Sequence, residues 1–112
     1  LSVERPVNPF ESPWEKVLYD ALTAKGLEPE PQYPTLGRRL DMAMVRDGLK
    51  IDIEVDGDRY HRNPDGSRKA DDVWRDITLT GAGWKVMRFW VYEIREDLDK
   101  CVNKILKEWE QS

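Results

Sequence analysis

The sequence predicts a single mixed α/β (α+β) domain, in which a mixed four-stranded sheet is flanked by helices in the order α-β-β-β-α-β-α. Three observations predict this class. Segments with apolar residues at helical spacing are interleaved with short segments in which apolar and polar residues alternate, as they do in strands. A length of 112 residues is enough for one domain with a hydrophobic core. Five tryptophans and 39% hydrophobic residues argue against a disordered chain, although 36% of the residues are charged.

The first helix is predicted to begin after Ser12 and to end near Gly26. Ser12 is a favourable N-cap, Pro13 suits the first helical position, and Glu15 completes a capping box. Gly26 can end the helix in a left-handed turn. The helix carries one apolar stripe: Trp14, Val17, Leu18, Ala21 and Leu22. Residues 1–11 are predicted to be a loose lead-in.

Three strands are predicted to follow. Three prolines between residues 29 and 34 limit the first to a short edge strand near Gln32 and Tyr33. The second strand is predicted over residues 39–45. The sequence Arg46-Asp47-Gly48 is typical of a tight hairpin turn into the third strand.

The third strand, over residues 49–56, is the most informative stretch of the chain. Its apolar residues alternate with charged ones, which predicts a half-buried strand. The core face would carry Leu49, Ile51, Ile53 and Val55. Asp52, Glu54 and Asp56 would stand in a row on the other face, where their mutual repulsion does not help the strand. Because Mg²⁺ prefers carboxylate oxygens, this strand end is predicted to be half of a metal site.

The rest of the chain is predicted to form a helix, a fourth strand and a last helix. Asn63-Pro64-Asp65-Gly66 indicates a turn after the third strand. A helix over about residues 69–82, closed by one of two glycines, then crosses to a strand over residues 85–90. The last helix is predicted over about residues 96–109, where apolar residues again recur at helical spacing.

The net charge of −4 argues against strong phosphate binding by this domain alone, because nonspecific nucleic-acid affinity comes mainly from lysine and arginine. A nucleic-acid-binding role would need a local basic patch, metal ions or a DNA-binding neighbour. The candidates for such a patch are Arg59, Arg62, Arg68, Lys69 and Arg75.

Cys101 is the single cysteine, which excludes an internal disulfide and fits a reducing cytoplasm. No apolar run approaches 18 residues and no signal-peptide pattern opens the chain, so neither a membrane span nor secretion is predicted. The sequence begins with Leu1 rather than Met, which suggests one domain, residues 1–112, excised from a larger protein.

Several motifs occur in order between residues 12 and 105. They are Arg39-Leu40-Asp41, Ile53-Glu54-Val55-Asp56-Gly57, Tyr60-His61, Asp72-x-x-Arg75-Asp76 and Gly83-Trp84-x-Val86-x-Arg88-Phe89. Together with the element order, they resemble the restriction-endonuclease-like (PD-(D/E)XK) superfamily at its Vsr-like branch, the very-short-patch-repair endonucleases. The ordered set is more specific than any one motif.

The resemblance implies a DNA endonuclease that needs Mg²⁺ or Mn²⁺. It implies that three carboxylates hold the metal and are catalytic: Asp41 on the second strand, and Glu54 and Asp56 on the third. Adjacent strands can bring two such carboxylates within about 5 Å. Glu15 is a further catalytic candidate, because these nucleases often contribute an acid from the first helix. The alternative is that Glu15 only caps that helix.

One position departs from the superfamily pattern, since Asp56 stands where these nucleases usually carry a lysine. His61, the single histidine, could act instead as general base or orient the attacking water. The resemblance supports this, because the Vsr-like branch uses histidines near this point. Lys69 could be a migrated lysine. Lys50 is discounted, because it lies roughly 13 Å along the strand from Glu54.

The resemblance also implies DNA as the partner, a role in DNA repair or processing, and a helicase-like domain in the parent protein. Two alternatives stay open. The missing lysine and the acidic balance favour a catalytically inactive nuclease-fold module that binds nucleic acid or another partner. A structural protein is the third hypothesis, with acids that only solubilise a face of the sheet. Instead of binding metal, Glu54 and Asp56 could also pair with Arg39 or Arg88. The aromatic residues of this region are predicted to be core residues: Trp84, Phe89 and Trp90.

Overall fold

A computed structural model of the protein describes residues 9–57 and 70–111. Its elements are α1 (Pro13–Ala24), β1 (Glu30–Thr35), β2 (Arg38–Arg46), β3 (Leu49–Asp56), α2 (Ala70–Gly81), β4 (Lys85–Trp90), α3 (Val91–Glu96) and α4 (Leu98–Glu110). The strands form one sheet in the order β1-β2-β3-β4. Pairing is antiparallel except between β3 and β4, which are parallel. The predicted fold class is confirmed.

The central strand β3 is buried on both faces. Its apolar side chains enter the main core together with apolar residues of α1 and α4. A second cluster lies on the acidic side of the sheet: Leu40, Ala43, Leu79 and Trp84. The prediction of a half-buried strand was therefore wrong, because the crossover through α2 lays a helix over the acidic face. The prediction that aromatic residues near β4 belong to the core is confirmed for Trp84 and Phe89, whereas Trp90 is only partly buried.

Both ends of α1 follow local rules, as predicted. The Ser12 Oγ accepts a hydrogen bond from the Glu15 N–H at 3.3 Å. Gly26 has a φ of 84° and ends the helix in a left-handed turn. The second half of the predicted capping box was wrong, since the Glu15 carboxylate accepts from the Glu11 N–H at 3.3 Å rather than from Ser12. This contact ties the segment before the helix to its first turn.

The connections around β3 and α2 also follow the sequence. β2 and β3 are joined by the predicted hairpin turn, in which Gly48 has a φ of 76°. After α2, Gly83 has a φ of 92°, and the Trp84 N–H donates to the Leu79 carbonyl at 3.0 Å. In residues 9–57 and 70–111, no helix has the length and apolar character needed to span a membrane.

The predicted last helix over about residues 96–109 is confirmed as α4, whereas the short helix α3 before it was not predicted. α3 begins directly after β4, where the Trp90 N–H donates to the Glu93 carboxylate at 2.9 Å. Asp97 separates α3 from α4 and caps the second helix, since its carboxylate accepts from the Lys100 N–H at 3.2 Å. A helix of six residues is too short to show a clear helical periodicity in the sequence.

Candidate active site

The site forms where β2 and β3 stop pairing through their backbones. Their antiparallel ladder ends at the pair of Met42 and Ile53. Beyond it, the Asp41 N–H donates to Glu54 Oε2 at 2.8 Å, and the Val55 N–H donates to Asp41 Oδ2 at 2.9 Å. Side-chain carboxylates thus take positions that backbone carbonyls occupy in a regular ladder. The two predicted acids are locked across the gap between the strands.

A cavity of about 320 Å³ opens at this gap. Its walls come from the start of α1 and from β2, β3, α2 and β4. We call this cavity the cleft, and its lining residues are Glu11, Glu15, Arg39, Asp41, Glu54, Val55, Asp56, Arg75 and Arg88. Since segments far apart in sequence contribute to it, the cleft exists only in the folded domain.

Three acids of the cleft are close enough to share one cation. Glu11, Glu15 and Asp41 each offer a carboxylate oxygen, and these oxygens lie within 4.8 Å of one another. Glu15 is buried, and it also accepts a weak hydrogen bond from Gln32 Nε2 at 3.5 Å. It is therefore both part of the helix start and part of the cleft. Oxygen donors at this spacing suit a hard divalent cation.

Glu11 could not be singled out from the sequence. It lies in the predicted lead-in, before the N-cap of α1. Its spacing of four residues from Glu15 was the available signal. Because Glu11 lies before the helix, a spacing of four residues does not by itself place it on the same face as Glu15. The two side chains come together only if the segment before the helix turns back toward the first helical turn. The Glu11 N–H to Glu15 contact is what brings it back.

Glu54 is held by an arginine as well as by the backbone. Arg75 Nη2 of α2 lies 2.7 Å from Glu54 Oε1. The same nitrogen donates to the Arg39 carbonyl at 3.0 Å. With Oε2 bonded to the Asp41 N–H, both Glu54 oxygens have partners. Arg75, a predicted DNA contact, thus reaches the acids themselves.

Asp56 is held more firmly by a second arginine. Both of its oxygens accept from Arg88 Nη1, at 2.8 and 3.0 Å. Arg88 Nε also donates to both oxygens of Asp76 on α2, at 2.8 and 2.9 Å. Burial lowers the pKa of the Arg88 guanidinium, but Asp76 and Asp56 outweigh burial and raise it. A permanent positive charge therefore lies beside the position that usually carries lysine.

Burial shapes the charge of the remaining acids. It raises the pKa of Asp41 to about 6. Burial and the nearby Asp41 raise the pKa of Glu15 to about 7. Burial, followed by Asp41 and Asp52, also raises the pKa of Glu54, although Arg75 opposes the shift. Ionising these groups together is unfavourable, and a divalent cation would relieve the repulsion. The donor set of the cleft therefore fits Mg²⁺ or Mn²⁺.

Several predicted residues lie outside the described residues, which leave out 58–69. His61 is one of them, and the basic candidates there are Arg59, Arg62, Arg68 and Lys69. Their roles stay predictions. Lys50 is placed away from the acids, as predicted, since its Nζ donates to the Ala82 carbonyl at 2.8 Å and lies 5.1 Å from the centre of the Trp84 ring.

Comparison with known proteins assigns the chain to a family. The sequence matches the family model REase_MTES_1575, a restriction-endonuclease-like family, over residues 14–108. The chain belongs to the REase_MTES_1575 family. The predicted membership of the restriction-endonuclease-like superfamily is confirmed, whereas the Vsr-like branch stays a prediction. No curated protein matches the sequence.

A solved structure supports the fold of this REase_MTES_1575 protein. The chain is similar to the catalytic domain of the homing endonuclease I-Bth0305I, with a TM-score of 0.63. The match covers 90% of this chain and 97% of that domain, at 16% sequence identity. At this identity the likeness establishes the shared fold alone.

Proposed function

We propose that this REase_MTES_1575 protein is a DNA endonuclease domain that hydrolyses phosphodiester bonds and needs Mg²⁺ or Mn²⁺. One observation carries the proposal: the buried acids Glu15 and Glu54 and the partly buried Asp41 converge in one cleft, at the divergence of β2 and β3. Membership of a restriction-endonuclease-like family and the fold of a homing endonuclease catalytic domain support it.

Asp41 is the proposed central metal ligand. Its Oδ2 accepts from the Val55 N–H, and its Oδ1 has no hydrogen-bond donor among residues 9–57 and 70–111. Glu15 and Glu11 present oxygens beside it. Glu54 joins this set when Arg75 releases its Oε1. When bound, the cation would stabilise negative charge on the scissile phosphate and acidify the attacking water.

Asp56 stands in a different relation to the cation. Both of its oxygens accept hydrogen bonds from Arg88, so it becomes a ligand only if that guanidinium yields one of them. In the proposal, its main effect is to hold the Arg88 guanidinium beside the position that lysine occupies in related nucleases. His61 is proposed as the general base, an assignment that the resemblance to the Vsr-like branch carries.

The cations of the cleft supply contacts to DNA in the proposal. Arg75 is partly exposed, and its guanidinium can exchange the Glu54 carboxylate for a phosphate oxygen of a bound strand. The predicted basic candidates in residues 59–69 would extend this contact along the DNA backbone. A repair or processing role, a helicase-like neighbour in the parent protein and a cytoplasmic location complete the proposal, on the resemblance alone.

Nicking of supercoiled plasmid tests the proposal. We expect cleavage with Mg²⁺ or Mn²⁺ that EDTA abolishes. Asp41→Asn and Glu54→Gln should each lower the rate by at least about 100-fold, because each removes a charged ligand. Either amide oxygen can still accept the backbone hydrogen bond, so the fold should survive.

Asp20→Asn is the matched control, since it neutralises an exposed acid of α1 that pairs with Lys16 at 2.8 Å. Its cleavage rate should equal that of the wild type. Wild-type protein that cuts no DNA with either metal, or that cuts equally well in EDTA, contradicts the proposal.

A second function is favoured by a specific observation. The oxygens of Glu54 and Asp56 already have partners within the protein, as expected for an inactive nuclease-fold module that binds nucleic acid or another partner. Calorimetric titration with Mn²⁺ separates the two functions. Binding that Asp41→Asn removes supports the nuclease, whereas folded wild-type protein that binds no Mn²⁺ supports the inactive module.

A further inference from the structure

One side of α2 presents an apolar surface to solvent. We call this surface the outer face of α2 and define it by three residues. Val73 is 45% exposed, Trp74 is 68% exposed and Ile77 is 55% exposed. Leu79 of the same helix is fully buried, so the helix already has a core-facing side. The outer face is therefore additional to the packing that holds α2 in place.

The outer face begins at the edge of the cleft. Arg75 and Asp76 are consecutive residues of α2, and both side chains contact residues of the cleft. Arg75 contacts Glu54, and Asp76 contacts Arg88. Successive helical residues are about 100° apart, so Trp74 lies on the flank of Arg75 that is opposite Asp76. An exposed indole thus neighbours the partly exposed guanidinium that reaches the acids.

The area of the outer face indicates which partner it fits. Three partly exposed side chains offer roughly 300 Å², judged from the 150–250 Å² that a whole aromatic side chain buries. A stable interface between two protein copies needs about 800 Å² on each partner. The outer face falls short of that area, but an indole is the right size for one nucleic-acid base.

The charges around it point to the same partner. Three arginines line the adjoining cleft together with five acids, and Arg75 is the arginine next to Trp74 in sequence. An aromatic ring beside a cation is the usual arrangement of a single-strand binding surface. The chain as a whole has a net charge of −4, which limits affinity gained through phosphates. Stacking on a base adds affinity that does not depend on net charge.

We propose that Trp74, supported by Ile77, stacks on an unpaired base of the DNA strand held in the cleft. The domain would then prefer single-stranded or locally unpaired DNA to continuous duplex, because duplex bases are already stacked and extruding one costs a few kcal/mol. This inference rests on the proposed endonuclease function and names its substrate class.

The test is a binding titration in EDTA, so that no cleavage is needed. Fluorescein-labelled 20-nucleotide oligo(dT) and a 20-base-pair duplex serve as probes for the whole chain. We expect Trp74→Ala to weaken oligo(dT) binding about 10-fold and duplex binding less than about 2-fold. Trp74→Phe should keep most of the affinity, because phenylalanine can still stack. Val45→Ala, which truncates an exposed apolar residue of β2, is the control and should bind like the wild type.

The inference is overturned if Trp74→Ala binds oligo(dT) as tightly as the wild type, or if it loses affinity equally for both probes. Sedimentation of the same variants adds a second readout. A wild-type dimer that Trp74→Ala converts to a monomer, with unchanged oligo(dT) binding, would assign the outer face to a second copy of the chain. Plasmid nicking separates the two proposals, since Trp74-dependent binding without metal-dependent cleavage sinks the nuclease but leaves the stacking site.

Discussion

Two arginines meet two carboxylates of β3, and the two pairs differ in how firmly they are held. The Arg88 side chain is 5% exposed, and it binds Asp56 and Asp76 together. The Arg75 side chain is 27% exposed and binds one carboxylate, that of Glu54. Among residues 9–57 and 70–111, each arginine has one buried nitrogen without a hydrogen-bond partner, Arg75 Nε and Arg88 Nη2. Arg88 Nη2 nevertheless lies 2.8 Å from Asp76 Oδ1, within ion-pair distance.

The difference assigns the two arginines separate tasks. A deeply buried ion pair with two carboxylates is costly to break, because the remaining charges are left without compensation. A more exposed pair with one carboxylate at a cleft is easier to exchange for a ligand. Arg88 is therefore held as a fixed part of the fold, and in the proposed function Arg75 is the cation that would move when metal or DNA enters.

The largest expected effect is on folding. Arg88→Met should lower the free energy of unfolding by about 3–5 kcal/mol, because Asp56 and Asp76 lose their shared partner inside the protein. Urea denaturation measures the loss. Arg95→Met is the control, since Arg95 is exposed and lies 3.8 Å from Glu96, and it should change stability by less than about 0.5 kcal/mol. Equal stability of both variants would show that the Arg88 network does not hold the fold.

The next effect is on activity rather than on folding. Arg75→Ala should lower DNA cleavage about 30-fold, which corresponds to about 2 kcal/mol in the barrier. It should destabilise the fold by no more than about 1.5 kcal/mol. Its affinity for Mn²⁺ should rise, because Glu54 loses its competing cation. Plasmid nicking and calorimetry measure these changes, and an Mn²⁺ affinity that falls would contradict the exchange of Arg75 for metal.

A smaller effect concerns pH. Folding raises the pKa of Asp41 from 3.8 to about 6 and that of Glu15 from 4.5 to about 7. Between these values the folded protein binds more protons than the unfolded chain, so stability falls as pH rises from about 4 to about 7. In EDTA the melting temperature should be about 5 °C lower at pH 8 than at pH 5.

Mn²⁺ should restore stability at pH 8 more than at pH 5, since it replaces the protons that the acids lose. Asp41→Asn should reduce both the pH dependence and the response to Mn²⁺. A melting temperature in EDTA that rises toward pH 8 would show that these carboxyls do not control stability in this range.

The smallest effect separates Lys50 from the arginines. Lys50→Ala removes a hydrogen bond to the Ala82 carbonyl and a cation–π contact with Trp84, which together stabilise the fold by about 1 kcal/mol or less. Cleavage should change less than about 2-fold. Thermal melting and plasmid nicking measure both changes. A large loss of cleavage with a normal melting temperature would show that Lys50 takes the role of the catalytic lysine that the superfamily pattern expects at position 56.

Local signals explain which parts of the fold were predictable. Ser12 and Gly26 set the ends of α1, and the Asp47-Gly48 turn set the hairpin, because each depends on residues close in sequence. The short helix α3 was missed, since six residues carry too little apolar periodicity to indicate a helix.

The candidate site was predictable in part. The alternation of β3 indicated that Glu54 and Asp56 share a face, and the strand order placed Asp41 beside them. Arg88 was an alternative partner of the acids in the sequence analysis, but neither the approach of Glu11 nor the pairing of Arg75 with Glu54 could be read from any local pattern. Arg75 and Arg88 lie 21 and 32 residues from the carboxylates that they bind, and nothing in those spacings predicts a contact.

The sequence by itself thus determined the order of helices and strands and the acids that β2 and β3 carry, because backbone propensity and side-chain period act over a few residues. Only the tertiary structure decided that the acidic face of β3 is buried, which of its carboxylates are paired with arginine, and which oxygens are left to meet a cation. That decision depends on the crossover of α2, since a helix laid over the sheet removes water from the acids, supplies Arg75 to Glu54 and leads into β4, which supplies Arg88 to Asp56.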